Sequence, residues 1–515
     1  MLIQPDTYIR LIKNCPLDKT YNHTIYFNTE LEQIGYFKNT LQGISFTKQS
    51  YQRYDKGNLQ IHAPAETLYD CNYLMFQNTA FGDKYFYAFV TSVEYVNNVT
   101  SKITYEIDVM QTWAFNYEIG DCFIEREHPI TDNIGENLVP ENLATGEFML
   151  NKLPVDNCPF EPGAYNVIIV QGTNKIKVND EYQAVVSNVF SGLDFIRCST
   201  PSEAYDKLKA INGAGESDTV VAVFMIPTIF WGGTSTANFS EGELALNISN
   251  GLENPYPTSF YGYVPKNKKL YTSQYFGLIA TSSSGVEHKY AYEHFNDPNN
   301  PVFAMSFSVG ATPESALTPT NYKGVTINYN EEIMCVDFPQ CAYATDAFKE
   351  YVALNSGRLL AGLGSTVISS GASVMGQNTS GANAIGNILA NLVNTYGLLR
   401  DKSVLPPKVR GSGASYMSYT RNSVGFYFYQ YHMTREFIEI IDGFFNMYGY
   451  ATNKVKKPNR NSRPHWNYVK TVNCVIHGGV PANDLSAIEG IYNNGITFWK
   501  NGAEIGDYSL DNSPV

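Results

Sequence analysis

The sequence is most informative at first for what it does not contain. It has no H-E-x-x-H, no G-x-x-x-x-G-K-[ST] and no G-x-S-x-G, so the usual zinc-peptidase, phosphate-loop and nucleophile-elbow chemistries have no foothold. Its eight cysteines, Cys15, Cys71, Cys122, Cys158, Cys198, Cys335, Cys341 and Cys474, include no C-x-x-C pair. That spacing excludes a zinc ribbon and outlines no disulfide framework, and it fits buried free thiols made in a reducing cytoplasm. The eight histidines are scattered without metal-ligand spacing, and no cofactor is expected. The N-terminus has no apolar run of signal-peptide length, so classical secretion is not expected. Positive charge is in short supply. Lys and Arg total 36 against 49 Asp and Glu, for a formal net charge of −13. Such a chain repels nucleic-acid phosphates, which opposes a sequence-reading or DNA-packaging role without excluding a wall along which DNA slides.

Tyrosine, phenylalanine and glycine, in contrast, are plentiful. The 515 residues include 38 Tyr, 29 Phe, 40 Gly and 24 Pro. Aromatic residues favour pleated, half-buried surfaces, and the Gly and Pro content supplies many turns, so the composition predicts a mainly β (α+β) fold. A single core rarely grows past about 250–300 residues, which implies several lobes.

Strand patterns concentrate in residues 1–128. Tyr85-Phe-Tyr-Ala-Phe-Val90 and Thr104-Tyr-Glu-Ile-Asp-Val109 flank a polar break at Asn97-Asn98 and read as a hairpin. Alternation would set Tyr105, Ile107 and Val109 on one face and Glu106 and Asp108 on the other, wet face. Residues 129–267 are richer in Pro, Asn and Gly and read as an inserted lobe. They retain strand-like runs at 165–170 and 220–225 and a short helix near 202–210. Strands return at 270–279, 325–330 and 423–431. A helix follows, capped by Thr434, with Phe437, Ile440, Ile441, Phe444 and Tyr448 on its apolar face and Gly449 as its stop. Residues 472–476 read as a strand. A second helix opens at Asn483 or Asp484 and ends near Gly495.

The most unusual stretch is Leu359 to Leu399, which carries no Asp, Glu, Lys or Arg and is bracketed by Arg358 and Arg400. Its Gly371, Gly376, Gly381 and Gly386 recur every five residues, and Ile385, Ile388, Leu389, Leu392 and Val393 fall near helical spacing. A spanning segment needs about 20 apolar residues, and Asn383, Asn387, Asn391 and Asn394 make this one too polar to cross alone. It suits a helix that packs against copies of itself through small residues. A plain Gly/Ser linker is the alternative, which the excess of Leu, Ile and Val opposes.

Other charged groups admit bland and functional readings. Lys454, Lys456, Lys457, Arg460 and Arg463 form a basic cluster that can serve DNA phosphates, an acidic neighbouring subunit or simply solvent. Glu125-Arg126-Glu127-His128 has acid–base residue types, but four adjacent residues do not converge on a substrate, so no catalytic role is expected.

Several segments together resemble the tail knob, or distal tail tube, proteins of phi29-like podoviruses. They are Tyr73-Leu-Met-Phe-Gln-Asn78, Tyr85-Phe-Tyr-Ala-Phe-Val-Thr91, Tyr105-Glu-Ile-Asp-Val-Met-Gln-Thr-Trp113 and Phe123-Ile-Glu-Arg-Glu-His128, with Tyr448-Gly-Tyr450, Asn453-Lys-Val-Lys-Lys-Pro-Asn459, Trp466-Asn-Tyr-Val469 and Asn494-Gly-Ile-Thr-Phe-Trp499 near the other end. Order and spacing, not any one motif, carry the resemblance. It implies a virion structural protein assembled in the host cytoplasm, not an enzyme. It further implies a homohexamer of tandem β-barrel tail-tube domains around a channel that genomic DNA traverses non-specifically, joined to an upper tail or collar protein.

On that reading residues 1–128 open the first tube barrel and 129–267 form an outer knob lobe. Residues 268–353 form the second barrel, 354–406 a long uncharged hydrophobic loop, and 407–515 complete the tube domain. The loop would plug the tube and enter host membrane lipids through Leu359, Leu360, Val367, Ile368, Val374, Met375, Ile385, Ile388, Leu389, Leu392, Val393, Leu398 and Leu399. A receptor-binding role for the Tyr- and Asn-rich lobe 129–267 is the alternative. A cell-wall hydrolase would declare itself by a cleared band in zymography, and none is expected.

Overall fold

The aromatic hairpin read from alternation is present: β6 (Tyr85–Asn97) and β7 (Thr100–Ile107) pair antiparallel across the Asn97-Asn98 turn. In the computed structural model the described residues are 6–49, 57–78, 82–155, 158–160, 165–172, 185–186, 189–190, 193–213, 219–230, 248–253, 257–308, 313–340, 343–344, 409–410 and 424–514. They fall into two units, one of Met1–Gly146, Ser259–Leu270 and Thr434–Val515, the other of Glu147–Thr258 and Tyr271–Met433.

In the first unit the hairpin belongs to an antiparallel sheet with β1 (Thr7–Lys13), β3 (Gly43–Gln49), β4 (Asn58–Ile61) and β5 (Cys71–Asn78), in the order β3-β1-β5-β6-β7-β4. Both faces are packed. Ile9, Leu11, Leu74, Phe76, Ala88 and Ile103 enter one core together with Leu59 and Ile61 of β4, whereas Ile12, Tyr73, Met75, Tyr87 and Phe89 enter another. Burial on both sides explains why Tyr73-Leu-Met-Phe76 is a continuous apolar run and not an alternating one. Helix α1 (Glu30–Gly35) runs into a π turn that sets Phe37 against Tyr73 and Tyr87, with ring centroids 5.3 and 4.8 Å apart. Among the described residues the end strands β3 and β4 do not pair, so the sheet is an open half-barrel.

Asp108 departs from the sequence expectation. Strand β7 stops at Ile107, and Asp108 leaves the predicted wet face to become the buried N-cap of α2 (Val109–Thr112). Its carboxylate accepts from Met110 N (3.0 Å), Gln111 N (3.1 Å) and the Tyr73 hydroxyl (2.7 Å). Orphan amide donors at a helix start outweigh the strand period.

The second sheet of this unit joins the two ends of the chain. β2 (His23–Ile25), β9 (Cys122–Glu127), β26 (Tyr450–Lys456), β27 (Trp466–Val472) and β29 (Ile496–Trp499) lie in the order β2-β29-β27-β9-β26, with β2 parallel to β29. A ribbon of β8 (Tyr117–Ile119) and β28 (Ile476–Gly478) flanks it. The stretch 473–475 is not strand, so the strand expected at 472–476 is split between β27 and β28.

Helices α4 (Arg435–Tyr448) and α5 (Ala482–Asn494) stop at Gly449 (φ +65°) and Gly495 (φ +96°). Thr434 stands at the N-cap of α4 as expected, whereas the start of α5 differs from expectation. Thr434 makes no side-chain capping bond, and α5 starts after Pro481. The buried face of α4 also differs: it comprises Ile438, Ile441, Asp442, Phe445 and Asn446, and Ile440 is exposed.

The second unit is also mainly β. One sheet has the order β10-β25-β17-β18, formed by β10 (Phe148–Leu153), β17 (Phe276–Ser282), β18 (Glu287–Tyr290) and β25 (Phe426–Met433). A second contains β16 (Ile248–Glu253), β19 (Val302–Ser308), β20 (Glu314–Tyr322) and β21 (Val325–Ile327), with β22 (Ile333–Cys335) also on β20. Phe303 packs on Phe428 and Tyr290, which ties the two sheets face to face. The third, β14-β11-β15, is built from β11 (Tyr165–Gly172), β14 (Leu193–Cys198) and β15 (Val220–Pro227) and carries α3 (Pro201–Gly213). Short ribbons pair β12 (Val185–Val186) with β13 (Val189–Phe190), and β23 (Tyr343–Ala344) with β24 (Val409–Arg410). The uncharged stretch Leu359–Leu399, with every side chain assigned above to lipid contact, lies outside the described residues.

Candidate functional site

The two charged motifs meet because β26 pairs with β9, with Val455 opposite Phe123 and Lys456 opposite Cys122. They do not form a reaction centre. Arg126 donates to Gly449 O (2.7 Å) and forms an ion pair with Glu141. Buried Glu141 also pairs with Lys269 Nζ (2.7 Å) and accepts from Ala451 N (2.7 Å). Lys269 in turn donates to Val139 O (2.6 Å), and burial pulls its ammonium below its usual pKa. Glu127 pairs with Lys456 and accepts from Asn459 N, and Glu125 points outward to Lys470 (2.7 Å). Each carboxylate is thus committed to one or two cations of its own and none converges with another on a common point.

His128 is equally committed. Its Nδ1 accepts from Tyr468 N (2.8 Å), and Nε2 then carries the proton and donates to Asn446 O (3.0 Å). Burial, with Arg463 and Arg126 nearby, drives its pKa down to about 3. A neutral ring with both nitrogens held by backbone cannot shuttle protons at neutral pH.

The basic cluster divides in the same way. Arg460 lies among the rings of Tyr26 and Tyr117 and donates to the Tyr492 hydroxyl. Arg463 is buried and donates to Asn512 O (3.3 Å), and Lys456 is paired as above. Only Lys454 and Lys457 of the five are exposed. They sit on or just past β26, an edge strand. Charged side chains there oppose pairing with a stray chain.

Residues that sequence reasoning missed complete the network. Asp442 on α4 accepts from Tyr263 Oη (2.6 Å), Lys266 N (2.9 Å), Asn267 N (3.0 Å) and Asn267 Nδ2 (2.8 Å). Asp132 accepts from Lys268 N (3.0 Å) and Tyr450 Oη (2.8 Å). These carboxylates satisfy the irregular backbone of residues 263–268, and so polar side chains face inward on α4.

Apolar side chains are exposed at two strand surfaces. Phe148, Met149 and Leu150 of β10 are 41%, 45% and 60% exposed, and consecutive residues point to both faces of the strand. Among the described residues, strand β10 bonds only to β25, and β18 at the far end of that sheet bonds only to β17. Tyr95, Val96 and Val99 are exposed at the β6–β7 tip. Among the described residues no His/Cys/Asp/Glu group has the arrangement of a metal site, and no helix is long and apolar enough to cross a membrane.

Known proteins resemble this chain along its length. Residues 238–513 match the family described as Bacillus phage phi29, tail knob protein gp9, C-terminal domain, and residues 5–118 match the caudoviral major tail protein N-terminus. Tail knob protein gp9 of Bacillus phage PZA is 24% identical over 595 aligned positions that span 98% of each chain, and gp9 of Bacillus phage phi29 is 23% identical with the same coverage. In three dimensions the tail knob protein gp12 of bacteriophage C1 superposes with a TM-score of 0.65 at 14% identity, covering 98% of this chain and 99% of that one, a likeness of fold.

Proposed function

This chain belongs to the phi29 tail knob family and is a structural component of the virion tail, not an enzyme, and from that premise we propose that six copies close into the ring forming the distal tube of a short phage tail. Each copy contributes tandem β-barrel tube domains around a channel for genomic DNA, one from residues 1–146, 259–270 and 434–515 and the other from the β10-β25-β17-β18 and β16-β19-β20-β21 sheets. The β14-β11-β15 sheet with α3 forms the outer lobe, and an upper tail or collar protein holds the ring. The stretch 354–406 plugs the channel and, on ejection, enters the host membrane through its Leu, Ile, Val and Met side chains.

The observation that carries the reading is the four-stranded sheet β10-β25-β17-β18 with two unlike edges. One edge, β10, is apolar and exposed, and the other, β18, presents Glu287, His288 and Lys289. Unlike edges cannot pair about a two-fold axis, but they can join head to tail, and a head-to-tail contact whose rotation closes makes a ring. Electron microscopy of the purified protein tests this. Rings with an opening for a duplex of about 20 Å are expected, given the groove dimensions of B-DNA. A strictly monomeric species at high concentration would oppose it.

A further inference from the structure

We infer that Cys122 and Cys474 form a latent disulfide site that an oxidising small-molecule disulfide closes in the released particle. The pair is brought together by topology. Cys122 opens β9, Cys474 follows β27, and Phe123 lies opposite Val472 in that pairing. A regular strand continuing past Val472 would set Cys122 opposite Asn473 and turn Cys474 to the other face. Asn473 instead takes a left-handed conformation (φ 54°), which redirects Cys474 into the core that holds Cys122, Tyr117, Ile476 and Tyr492. Asn493 Oδ1 fixes this bend by accepting from Cys474 N (3.0 Å) and Thr471 Oγ1 (2.9 Å). The two thiols then meet, and among the described cysteines they are the pair whose side chains hydrogen-bond to each other.

The pair is buried but shallow. Cys474 is 6% exposed, whereas its neighbours Asn473 and Val475 are exposed and belong to no strand. A local opening of residues 473–475 would admit a reagent without disturbing β9 or β27. The hydrogen bond also orders the chemistry. Burial raises both thiols above the free value, and the hydrogen bond lowers Cys122 while it helps raise Cys474 to about 12, so Cys122 is the first to attack and Cys474 the resolving thiol. The Cys122 thiolate attacks one sulfur of a disulfide RSSR, forms a mixed disulfide and expels RS⁻, which takes up the proton that Cys122 gave. The Cys474 thiolate then attacks the Cys122 sulfur and expels the second RS⁻, which is protonated in turn. The two protein thiols lose two protons and two electrons, and RSSR becomes two RSH. Tail proteins are made in a reducing cytoplasm and act on a virion outside it, where disulfides persist. The bond would tie the start of β9 to the segment that follows β27, two neighbouring strands far apart in sequence.

The test is to incubate the full-length protein with oxidised glutathione, block remaining thiols in denaturant, and map peptides without reduction. A Cys122–Cys474 link within one chain is expected. Titratable thiols fall from eight to six, recover with dithiothreitol, and the melting temperature rises on oxidation. Cys474→Ser should stop at a glutathione adduct on Cys122. Eight thiols remaining after prolonged incubation, adducts without a link in the wild-type chain, or links to other cysteines would overturn the proposal, and the wild-type map does not depend on any variant folding.

Discussion

Asp108 is buried with hydrogen-bond donors around it but no cation. Burial raises its carboxyl from 3.8 to about 6, although the Tyr73 hydroxyl and the amides of Gln111 and Met110 pull the other way. Because the folded pKa exceeds the unfolded one, the stability this group contributes is complete below about pH 4 and is lost as pH rises through 6. A shift of two units corresponds to roughly 3 kcal/mol. Asp108→Asn keeps an acceptor for the α2 amides and removes the titration, so urea melts of the variant should lose this slope between pH 4 and 6. A profile parallel to wild type would refute the assignment. His128 acts with the opposite sign. Its pKa falls from 6.5 to about 3, so its contribution is complete above pH 6.5 and is lost on acidification towards 3. His128→Gln should flatten that acid limb. Glu141 presents a different case, since it compensates both Arg126 and Lys269. Glu141→Ala leaves two cations in a buried site and should cost about 3–5 kcal/mol, read as a drop in urea midpoint.

At the level of elements, the parts that were legible are those set by local rules. The β6–β7 hairpin followed from alternation about Asn97-Asn98, and the ends of α4 and α5 followed from Gly449 and Gly495. Gly449 is also required by space, because a Cβ there would strike the Glu127 carbonyl. Gly449→Ala should therefore destabilise by more than the roughly 1 kcal/mol of a purely conformational penalty. What could not be read depends on contacts distant in sequence. The side of α4 that turns inward is set by Asp442, whose carboxylate accepts from the amides of Lys266 and Asn267, and by Asn446, whose side chain donates to the Tyr508 carbonyl. Hydrophobic periodicity assigns both to the outside. The basic cluster kept several readings open because its partners, Glu127 on β9 and Tyr117 and Tyr492, lie far away along the chain. With those partners known, Lys454 and Lys457 remain as guards of the β26 edge. Lys454→Val with Lys457→Thr should leave the fold intact and increase light scattering with concentration. Unchanged scattering would deny them that role.

For the whole molecule, assembly and membrane entry are separable claims that one pair of variants divides. Leu150→Lys places a charge on the apolar edge β10, where the proposed ring contact forms, so ring particles should disappear in micrographs while circular dichroism stays that of the wild type. The membrane claim rests on the absence of charge between Leu359 and Leu399. A charge at mid-bilayer costs about 2.5–3.5 kcal/mol by insertion scales, and in a ring six copies bear it together. Leu389→Asp with Leu392→Asp should therefore preserve rings and abolish dye release from liposomes, whereas the wild-type ring, or a peptide of residues 355–405, releases the dye. If the acidic variant leaks as fast as wild type, the uncharged stretch does not act on lipid. If wild type fails to leak at neutral and acid pH alike, the stretch is a linker or plug and membrane entry lies elsewhere. In either case the head-to-tail ring is still judged by Leu150→Lys, because that contact uses β10 and β18 and no residue of the stretch.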